Sequence, residues 1–342
     1  MIVAMSKDAT AEEIQKVVAK IGEQGLRPIE MPGGDRVAIG VASAIPAELR
    51  QPLSEILEIM PGVDHVAQVS RAYKLASREF HPADTVVDIH GAKIGGNRVA
   101  IIAGPCAIES REQMLEAAEK VKEAGAALLR GGAFKPRTSP YAFQGLGEEG
   151  LRILREASDL TGLPGVTEVM DHHDMPLVCR YADVIQIGAR NMQNYPLLTA
   201  AGNADRPVLL KRGPSATIDE WLLAAEYILC QGNERVILCE RGVHPLDRAY
   251  TRYTLDVSAV PVVKSISHLP IIVDPSHASG NWKYVAALCR AAIAAGADGL
   301  LVEVHPDPLS AQCDSQQQLK PVNFAAMVAE VRGLANALGR SL

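Results

Sequence analysis

Eight short apolar segments, each followed by a helix-like stretch, repeat along residues 99–342 and constrain the fold more than any other feature. The helix-like stretches, such as 111–124, 218–229 and 282–295, carry apolar residues at helical spacing. This alternation predicts an α/β protein whose eight parallel strands close into a (β/α)8 TIM barrel. The predicted strands are 99–103, 127–130, 165–168, 184–188, 208–211, 236–240, 271–274 and 299–304.

Residues 1–70 have a different pattern, which predicts a small α+β domain of ferredoxin-like βαββαβ order. Its predicted elements are a strand at 2–5, a helix at 11–24, two strands joined by a tight turn at 31–36, the second of them at 37–42, a helix at 47–60 and a strand at 63–70. We therefore expect a ferredoxin-like domain at 1–70, a linker with a barrel-capping hairpin at 71–98 and a catalytic barrel at 99–342.

Composition excludes several classes of protein. With 342 residues and 48% hydrophobic content, the chain can form one barrel of roughly 250 residues and a small companion domain. A net charge of −6 argues against nucleic acid or an anionic membrane as a partner, because both require excess Lys and Arg. Six cysteines without CxxC pairs, no long apolar run and no signal-like start predict a cytoplasmic protein.

Charged and sulfur-bearing residues follow nearly every predicted strand. A doubly wound open sheet would not explain this pattern, whereas in a barrel the carboxyl ends of all strands meet at one mouth. One strand-end cation alone is as often a solvated charge as a ligand, but a cluster of them predicts phosphorylated or carboxylated substrates. The cluster consists of Arg130, Lys135, Arg137, Arg190, Lys211, Arg212 and Arg241.

A second group of strand-end residues offers metal ligands. Cys106, His277 and Glu303 follow the first, seventh and eighth strands, which are neighbours in a closed barrel, and Asp314 lies in the next loop. Each alone has an ordinary structural explanation, but together they predict one divalent ion: Mn, Fe, Co or Zn. His305 is an alternative ligand. Cys313 is interpreted as an incidental loop thiol that could compete for metal or be oxidised.

Two motifs carry a family resemblance. Ile-Ala-Gly-Pro-Cys-Ala-Ile-Glu-Ser at 102–110 and Leu-Arg-Gly-Gly-Ala-Phe-Lys-Pro-Arg-Thr-Ser-Pro-Tyr at 129–141 resemble the type I-beta synthases of 3-deoxy-D-arabino-heptulosonate 7-phosphate (DAHP). Further segments of the barrel resemble the same family: 143–147, 185–191, 209–213, 238–242, 273–277 and 302–306.

The resemblance implies condensation of phosphoenolpyruvate with erythrose 4-phosphate, and it assigns residues by motif. Phosphoenolpyruvate would be held by Arg130, Lys135, Arg190, Lys211 and Arg241. Erythrose 4-phosphate would be held by Lys135, Pro136, Arg137, Thr138 and Ser139. The metal would be held by Cys106, His277, Glu303 and Asp314, with Lys135 as a possible acid and Glu168 as a possible partner of water. The catalytic set would thus comprise Lys135, Cys106, His277 and Glu168.

The resemblance also implies a regulatory N-terminal domain that responds to an aromatic amino acid, and a homotetramer. The sequence departs from the family pattern at 243–253, at 281–282 and at 313–316, where Cys-Asp-Ser replaces Ser-Asp-Gly or Ser-Asp-Ala. Two alternatives remain open. One is a 3-deoxy-octulosonate 8-phosphate synthase, which uses arabinose 5-phosphate, although Lys-Pro-Arg-Thr-Ser at 135–139 argues against it. The other is an inactive, amino-acid-sensing barrel.

Overall fold

In the computed structural model, which describes residues 1–33, 36–67 and 72–342, the chain separates into Met1–Ala83 and Asp84–Leu342. The smaller unit contains an antiparallel sheet in the order β2-β3-β1-β4 with two helices, which confirms the predicted ferredoxin-like fold. Its elements are β1 Ile2–Met5, α1 Ala11–Glu23, β2 Pro28–Gly33, β3 Arg36–Val41, α2 Ala47–Glu58 and β4 Val63–Ala67.

In the small unit, a capping motif and a buried apolar face favour the same helix, α1. Thr10 and Glu13 form a reciprocal capping box at the start of α1, in which each side chain accepts a hydrogen bond from the other's backbone N–H. Val17 and Ile21 then lie one helical turn apart and are fully buried in the apolar cluster that includes Ile39 of β3. The described strands reach into the range predicted for the turn, since β2 extends to Gly33 and β3 begins at Arg36. Residues 34–35 and 68–71, which fall in the predicted turn, last strand and linker, lie outside the described residues.

The larger unit is a closed barrel of eight parallel strands in which β14 pairs with β7, as predicted. Its strands are β7 Ala100–Gly104, β8 Leu128–Arg130, β9 Gly165–Val169, β10 Val184–Ile187, β11 Val208–Lys211, β12 Val236–Glu240, β13 Ile271–Val273 and β14 Gly299–Glu303. Its helices are α3 Arg111–Ala124, α4 Glu148–Thr161, α5 Met175–Tyr181, α6 Tyr195–Asn203, α7 Ile218–Leu229, α8 Ala259–Ile266, α9 Pro275–Ser279, α10 Trp282–Ala294 and α11 Pro321–Ala337.

A hairpin precedes the barrel and lies at the amino-terminal ends of its strands. It consists of β5 Val87–Ile89 and β6 Ala92–Ile94, and its buried side chains share one apolar cluster with the barrel interior, represented by Ile102 and Leu128. The backbone N–H of Thr85 donates to the carbonyl of His268, just before β13. Because apolar side chains fill this end, polar chemistry is confined to the opposite end.

Gly104 allows the first two barrel strands to approach closely at that opposite end. Its φ is +151°, and a Cβ placed there would lie 2.0 Å from the Arg130 carbonyl oxygen. Glycine is therefore required where β7 turns towards Cys106. Among the helices of the described ranges, none combines the length and apolar character needed to cross a bilayer.

Candidate active site

A cavity of about 380 Å³ opens at the carboxyl ends of the barrel strands. It collects side chains from loops that are far apart in sequence, because parallel strands of a barrel all end on one face. The predicted residues that line it are Arg130, Lys135, Pro136, Arg137, Thr138, Ser139, Glu168, Arg190, Lys211, Arg241, His277 and Asp314. Cys106 and Glu303 are fully buried and do not line it, and neither does Arg212.

The cationic residues of the cavity differ in exposure. Arg130, Lys135, Lys211 and Arg241 are buried, whereas Arg190 is exposed. Two of the buried cations are paired: Arg130 Nη1 lies 2.5 Å from Glu303 Oε1, and Lys211 Nζ lies 2.5 Å from an Asp274 carboxylate oxygen. Burial of a charge is costly unless it is paired, so these carboxylates stabilise the buried cations and leave further cationic donors for an anion.

Arg241 is held by packing against a tyrosine. Its guanidinium lies 4.2 Å from the ring centroid of Tyr253, which orients the planar group towards the cavity. Burial opposes ionisation of Tyr253, but the hydrogen bond and charge of Arg241 outweigh it and lower the pKa of the phenol. Tyr253 lies in one of the loops that depart from the family pattern, and here it supports a cationic side chain.

Arg212 does not belong to the cavity, so its placement in the substrate-facing cluster was wrong. Its Nη1 lies 3.0 Å from Glu240 and 2.8 Å from Asp256, and its Nε donates to the Ala216 carbonyl at 2.9 Å. Successive side chains of an extended strand point to opposite faces, so the residue after the inward-facing Lys211 is directed outwards. Arg212 therefore stabilises the strand end behind the site.

The predicted metal ligands converge on Asp314. Potential ligand atoms lie within 4.8 Å of one another in two overlapping groups, Cys106 with Cys313 and Asp314, and His277 with Glu303 and Asp314. Cys106 Sγ lies 3.6 Å from Asp314 Oδ2, and His277 Nε2 lies 3.5 Å from Glu303 Oε1. A thiolate, an imidazole and two carboxylates form a donor set that suits a borderline divalent ion. These residues therefore fit a metal centre.

Protonation states favour this interpretation. Burial alone would raise the pKa of Glu303, but the charges of His277, Arg130 and Lys135 lower it to about 2. Burial lowers the pKa of His277 despite the nearby Asp274. A carboxylate and a neutral imidazole are the forms that bind metal, so Glu303 is already in its binding form, whereas His277 reaches its binding form by losing a proton, which its lowered pKa makes easier. The hydrogen bond with Cys313 and burial together raise the pKa of the Cys106 thiol, so binding of a cation has to displace its proton.

Asp274 contacts two residues of the candidate site, and sequence reasoning did not assign it to that site. It is fully buried, its Oδ1 accepts the His277 backbone N–H at 2.9 Å, and its Oδ2 lies 2.7 Å from His277 Nδ1. Charges of His277 and Lys211 overcome the effect of burial and hold the pKa of this carboxyl well below its usual range. The imidazole is thereby oriented with Nε2 towards Glu303. The sequence did contain a signal for Asp274, because this residue lies in the strand-end segment Val-Asp-Pro-Ser-His that also supplies His277.

Gln317 is a second missed residue. It is buried, and its Nε2 donates to Glu303 Oε2 at 2.7 Å and to Asp314 Oδ2 at 3.4 Å. Its Oε1 accepts from Arg252 Nη1 at 3.2 Å, and Arg252 also lies 3.3 Å from Asp314. Gln317 and Arg252 thus hold the two carboxylates together. The segment Ser-Gln-Gln-Gln carried no sequence signal that singled out Gln317.

His305 lies away from the ligand cluster, which corrects its interpretation as an alternative ligand. Its Nδ1 accepts the backbone N–H of Asp307 at 3.0 Å, and its Nε2 lies 3.6 Å from Glu109 Oε2. Strand alternation ends with β14 at Glu303, so the spacing of two no longer places both side chains on one face. Glu109 also accepts the Gln312 N–H at 2.9 Å, which fixes the loop that carries Asp314.

Replacement of Asp274 by asparagine is expected to weaken divalent metal binding about 10–100-fold, because the His277 ring loses the carboxylate that orients it. Titration calorimetry with Co²⁺ on the full chain measures the effect, at a temperature where circular dichroism shows a folded variant. Asp159→Asn, an exposed substitution on α4, is the matched control. Equal affinity for the parent chain and a folded Asp274→Asn variant would contradict the assigned role.

The comparisons with known proteins agree with this geometry. Residues 81–337 match the DAHP synthetase I family, and residues 1–71 match the DAHP synthase ferredoxin-like domain. A phospho-2-dehydro-3-deoxyheptonate aldolase of Thermotoga maritima is 50% identical over 339 residues, which cover 99% of each chain. A 2-dehydro-3-deoxyphosphooctonate aldolase of Syntrophotalea carbinolica is 35% identical over 244 residues, which cover 66% of this chain and 87% of that relative.

Solved structures give the same relationship. The crystal structure of the DAHP synthase from Thermotoga maritima matches with a TM-score of 0.79 at 49% identity, covering 99% of this chain and 98% of that one. A truncated form of the enzyme from that organism matches with a TM-score of 0.73 at 52% identity, covering 78% and 98%. The resemblance seen in the motifs is thereby confirmed: the chain belongs to the DAHP synthetase I family and carries the ferredoxin-like domain of DAHP synthases at its N-terminus.

Proposed function

We propose that the protein condenses phosphoenolpyruvate with erythrose 4-phosphate and water to give DAHP and phosphate, the first step of the shikimate pathway. The observation that carries this proposal is the cavity itself, in which buried cations and a cluster of metal-ligand side chains face the loop of residues 135–139. Such a cavity suits two anionic substrates whose reacting carbons meet between their charged groups. Family membership supplies the reaction class.

The cationic side chains divide the cavity between the substrates. Arg130, Lys211 and Arg241 are buried at the strand ends, where they would neutralise the carboxylate and phosphate of phosphoenolpyruvate, with Arg190 at the exposed rim. Residues 136–139 line the outer part of the cavity, where they would receive the phosphate of erythrose 4-phosphate. Because like charges repel, this arrangement would stabilise two anions in contact.

Cys106, His277, Glu303 and Asp314 would hold one divalent ion: Mn, Fe, Co or Zn. When bound, such an ion supplies Lewis-acid polarisation of a carbonyl oxygen. Lys135 reaches the same place, with Nζ 3.2 Å from Cys106 Sγ and 3.0 Å from its carbonyl oxygen. It would deliver a proton to the aldehyde oxygen as C3 of phosphoenolpyruvate bonds to the aldehyde carbon.

Glu168 would position the water that adds to C2 of phosphoenolpyruvate before phosphate leaves. Its carboxylate lines the cavity and accepts a hydrogen bond from the Gln186 amide at 3.3 Å. Gly188 leaves room for this group, since a Cβ there would lie 2.0 Å from Glu168 Oε1. Gln186 and Gly188 at the end of the neighbouring strand β10 thus accommodate the carboxylate where it lines the cavity.

Purified enzyme is expected to prefer erythrose 4-phosphate over arabinose 5-phosphate by about 100-fold or more in kcat/KM, because loop 135–139 would fit the shorter aldehyde. Phosphate release from phosphoenolpyruvate with each aldehyde measures this preference, and phosphoenolpyruvate alone is the blank. A preference for arabinose 5-phosphate would support the octulosonate alternative. Absence of turnover with both would support an inactive, amino-acid-sensing barrel.

The N-terminal domain is proposed to bind an aromatic amino acid that inhibits the enzyme, within a cytoplasmic homotetramer. A ligand that binds only the folded state raises its stability, by about 2.7 kcal/mol at a hundred times its Kd. Phenylalanine, tyrosine or tryptophan is therefore expected to raise the melting temperature of the full chain and not that of a chain beginning at Asp84. No shift with any of the three, or equal shifts for both chains, would count against this role.

A further inference from the structure

A second group of possible metal ligands lies in the loop after β9. Asp171, His172 and His173 offer one carboxylate oxygen and two ring nitrogens that lie within 4.8 Å of one another. None of the three lines the cavity at the barrel mouth, although Glu168, which does, precedes them on the same segment. All three are exposed, so an ion can reach them directly from solution.

The carboxylate of Asp171 is the centre of this group. Asp171 is the N-cap of a short 3-10 helix, His172–Asp174, and its Oδ1 accepts the His173 backbone N–H at 2.8 Å. The same oxygen lies 2.7 Å from His173 Nδ1 and 3.4 Å from His172 Nδ1. Capping needs only one acceptor. Within residues 1–33, 36–67 and 72–342, Oδ2 accepts no hydrogen bond and is available to a ligand.

The two imidazole rings lie closer together than helical geometry requires. Consecutive residues of a helix are rotated by about 100° from each other, so their side chains do not face one another. The ring centroids of His172 and His173 are nevertheless 4.0 Å apart, with an interplanar angle of 38°. Both rings turn towards Asp171, and this shared carboxylate therefore brings two nitrogen donors to one place.

The spacing and the charge of the group suit a cation. Two ligands that bind Zn²⁺ at about 2.0–2.1 Å lie about 2.9–3.4 Å apart at octahedral and tetrahedral angles, and the two oxygen–nitrogen distances at Asp171 are 2.7 and 3.4 Å. Among the described residues, only these two imidazoles form ion pairs with Asp171. Entry of an ion would therefore displace no ammonium or guanidinium group.

We propose that Asp171, His172 and His173 bind one Zn²⁺ ion, with water in the remaining coordination positions. Imidazole nitrogen suits Zn²⁺ and its neighbours Ni²⁺ and Cu²⁺, whereas Mg²⁺ and Ca²⁺ prefer sites made of oxygen alone. This site contains no sulfur and shares no residue with the centre proposed at the barrel mouth. It does not rest on the proposed function, because the chain would bind this ion even if the mouth bound none.

Equilibrium dialysis of the metal-free full chain against micromolar Zn²⁺ tests the proposal, with bound zinc measured by atomic absorption. The decisive quantity is the difference between variants, because the barrel mouth can bind an ion of its own. His172→Ala/His173→Ala is expected to lose about one Zn²⁺ per chain. Asp171→Asn, which keeps the helix cap, is expected to bind less zinc than the parent. His65→Ala removes an exposed histidine beside a single carboxylate, Asp64, and is the matched control that should lose none.

Protection from diethyl pyrocarbonate, which modifies imidazoles, locates the bound ion. Trypsin places His172 and His173 in peptide 156–180 and His65 in peptide 51–71, and neither peptide contains another histidine. Zn²⁺ is expected to suppress modification of peptide 156–180 and to leave that of peptide 51–71 unchanged, and excess Mg²⁺ is expected to protect neither.

The outcomes separate this site from the proposed centre at the mouth. One ion in the parent and none in His172→Ala/His173→Ala would support this site and refute zinc binding at the mouth. Equal zinc contents of these two proteins would overturn the proposal, and so would a loss of the same size in His65→Ala. Modification of peptide 156–180 that is unchanged by Zn²⁺ would overturn it as well.

Discussion

Replacement of Lys135 by methionine is expected to lower kcat/KM about 10²–10³-fold, as loss of one preorganised donor to a reacting oxygen commonly does. The ammonium group lies within hydrogen-bonding distance of Cys106 and is 7% exposed, so bulk water would not substitute for it easily. Methionine keeps an unbranched side chain that is one atom shorter, and it removes the charge and the donors. Steady-state kinetics with both substrates measures the change.

The control for this substitution is Lys283→Met, which removes an exposed charge at the start of α10. Metal content of the Lys135→Met variant, measured by atomic absorption, separates loss of catalysis from loss of the ion. A fall of less than tenfold in kcat/KM, with metal content unchanged, would show that Lys135 does not act on the reacting atoms.

Removal of divalent metal by EDTA is expected to abolish turnover, and readdition of Mn²⁺, Co²⁺ or Zn²⁺ to metal-free protein is expected to restore it. The reason is the convergence of Cys106, His277, Glu303 and Asp314, whose donor atoms form two groups that overlap at Asp314 and suit a divalent cation. In Cys106→Ala one donor is missing, so readdition should restore little activity. The rate of phosphate release measures the activity of the EDTA-treated protein, the metal-restored protein and the Cys106→Ala variant.

The same experiment has a pH dependence with a defined sign. Contact with Cys313 and burial raise the pKa of the Cys106 thiol, and metal can bind only its thiolate. Metal affinity is therefore expected to increase as pH rises and to decrease as pH falls, because protons compete for the sulfur. Full turnover by protein that atomic absorption shows to be free of metal would eliminate the ion from the reaction.

The barrel was predictable because each of its strands is buried on both faces and therefore reads as an apolar run. Predicted and observed strand ends agree to within one residue, for example at β7, which is Ala100–Gly104 instead of 99–103. The turn at 31–36 was harder to bound, because glycine and proline at that position permit both a turn and continued pairing. In the structure β2 continues to Gly33.

The candidate site was partly predictable, because the rule that strand ends converge needs no knowledge of side-chain partners. This rule correctly grouped Arg130, His277 and Glu303, which lie far apart in the sequence. It failed for Arg212 because the strand's alternation turns that residue outwards. It could not identify Gln317, since an amide becomes informative only when the two carboxylates that it joins are known in space.

The pairing of β7 with β14 has a consequence for how the enzyme is made. Gly104 faces Glu303 across this pairing, so Cys106, Glu303 and Asp314 of the proposed ligand set come from the first and last strands of the barrel and the loops that follow them. Most of the barrel's sequence lies between them, and a ribosome must complete nearly all of it before Cys106 can meet Glu303 and Asp314. A translation product that ends before β14 would contain the buried cationic residues of the cavity but would lack Glu303 and Asp314. The proposed ligand set is therefore complete only after the loop that follows β14 has been synthesised.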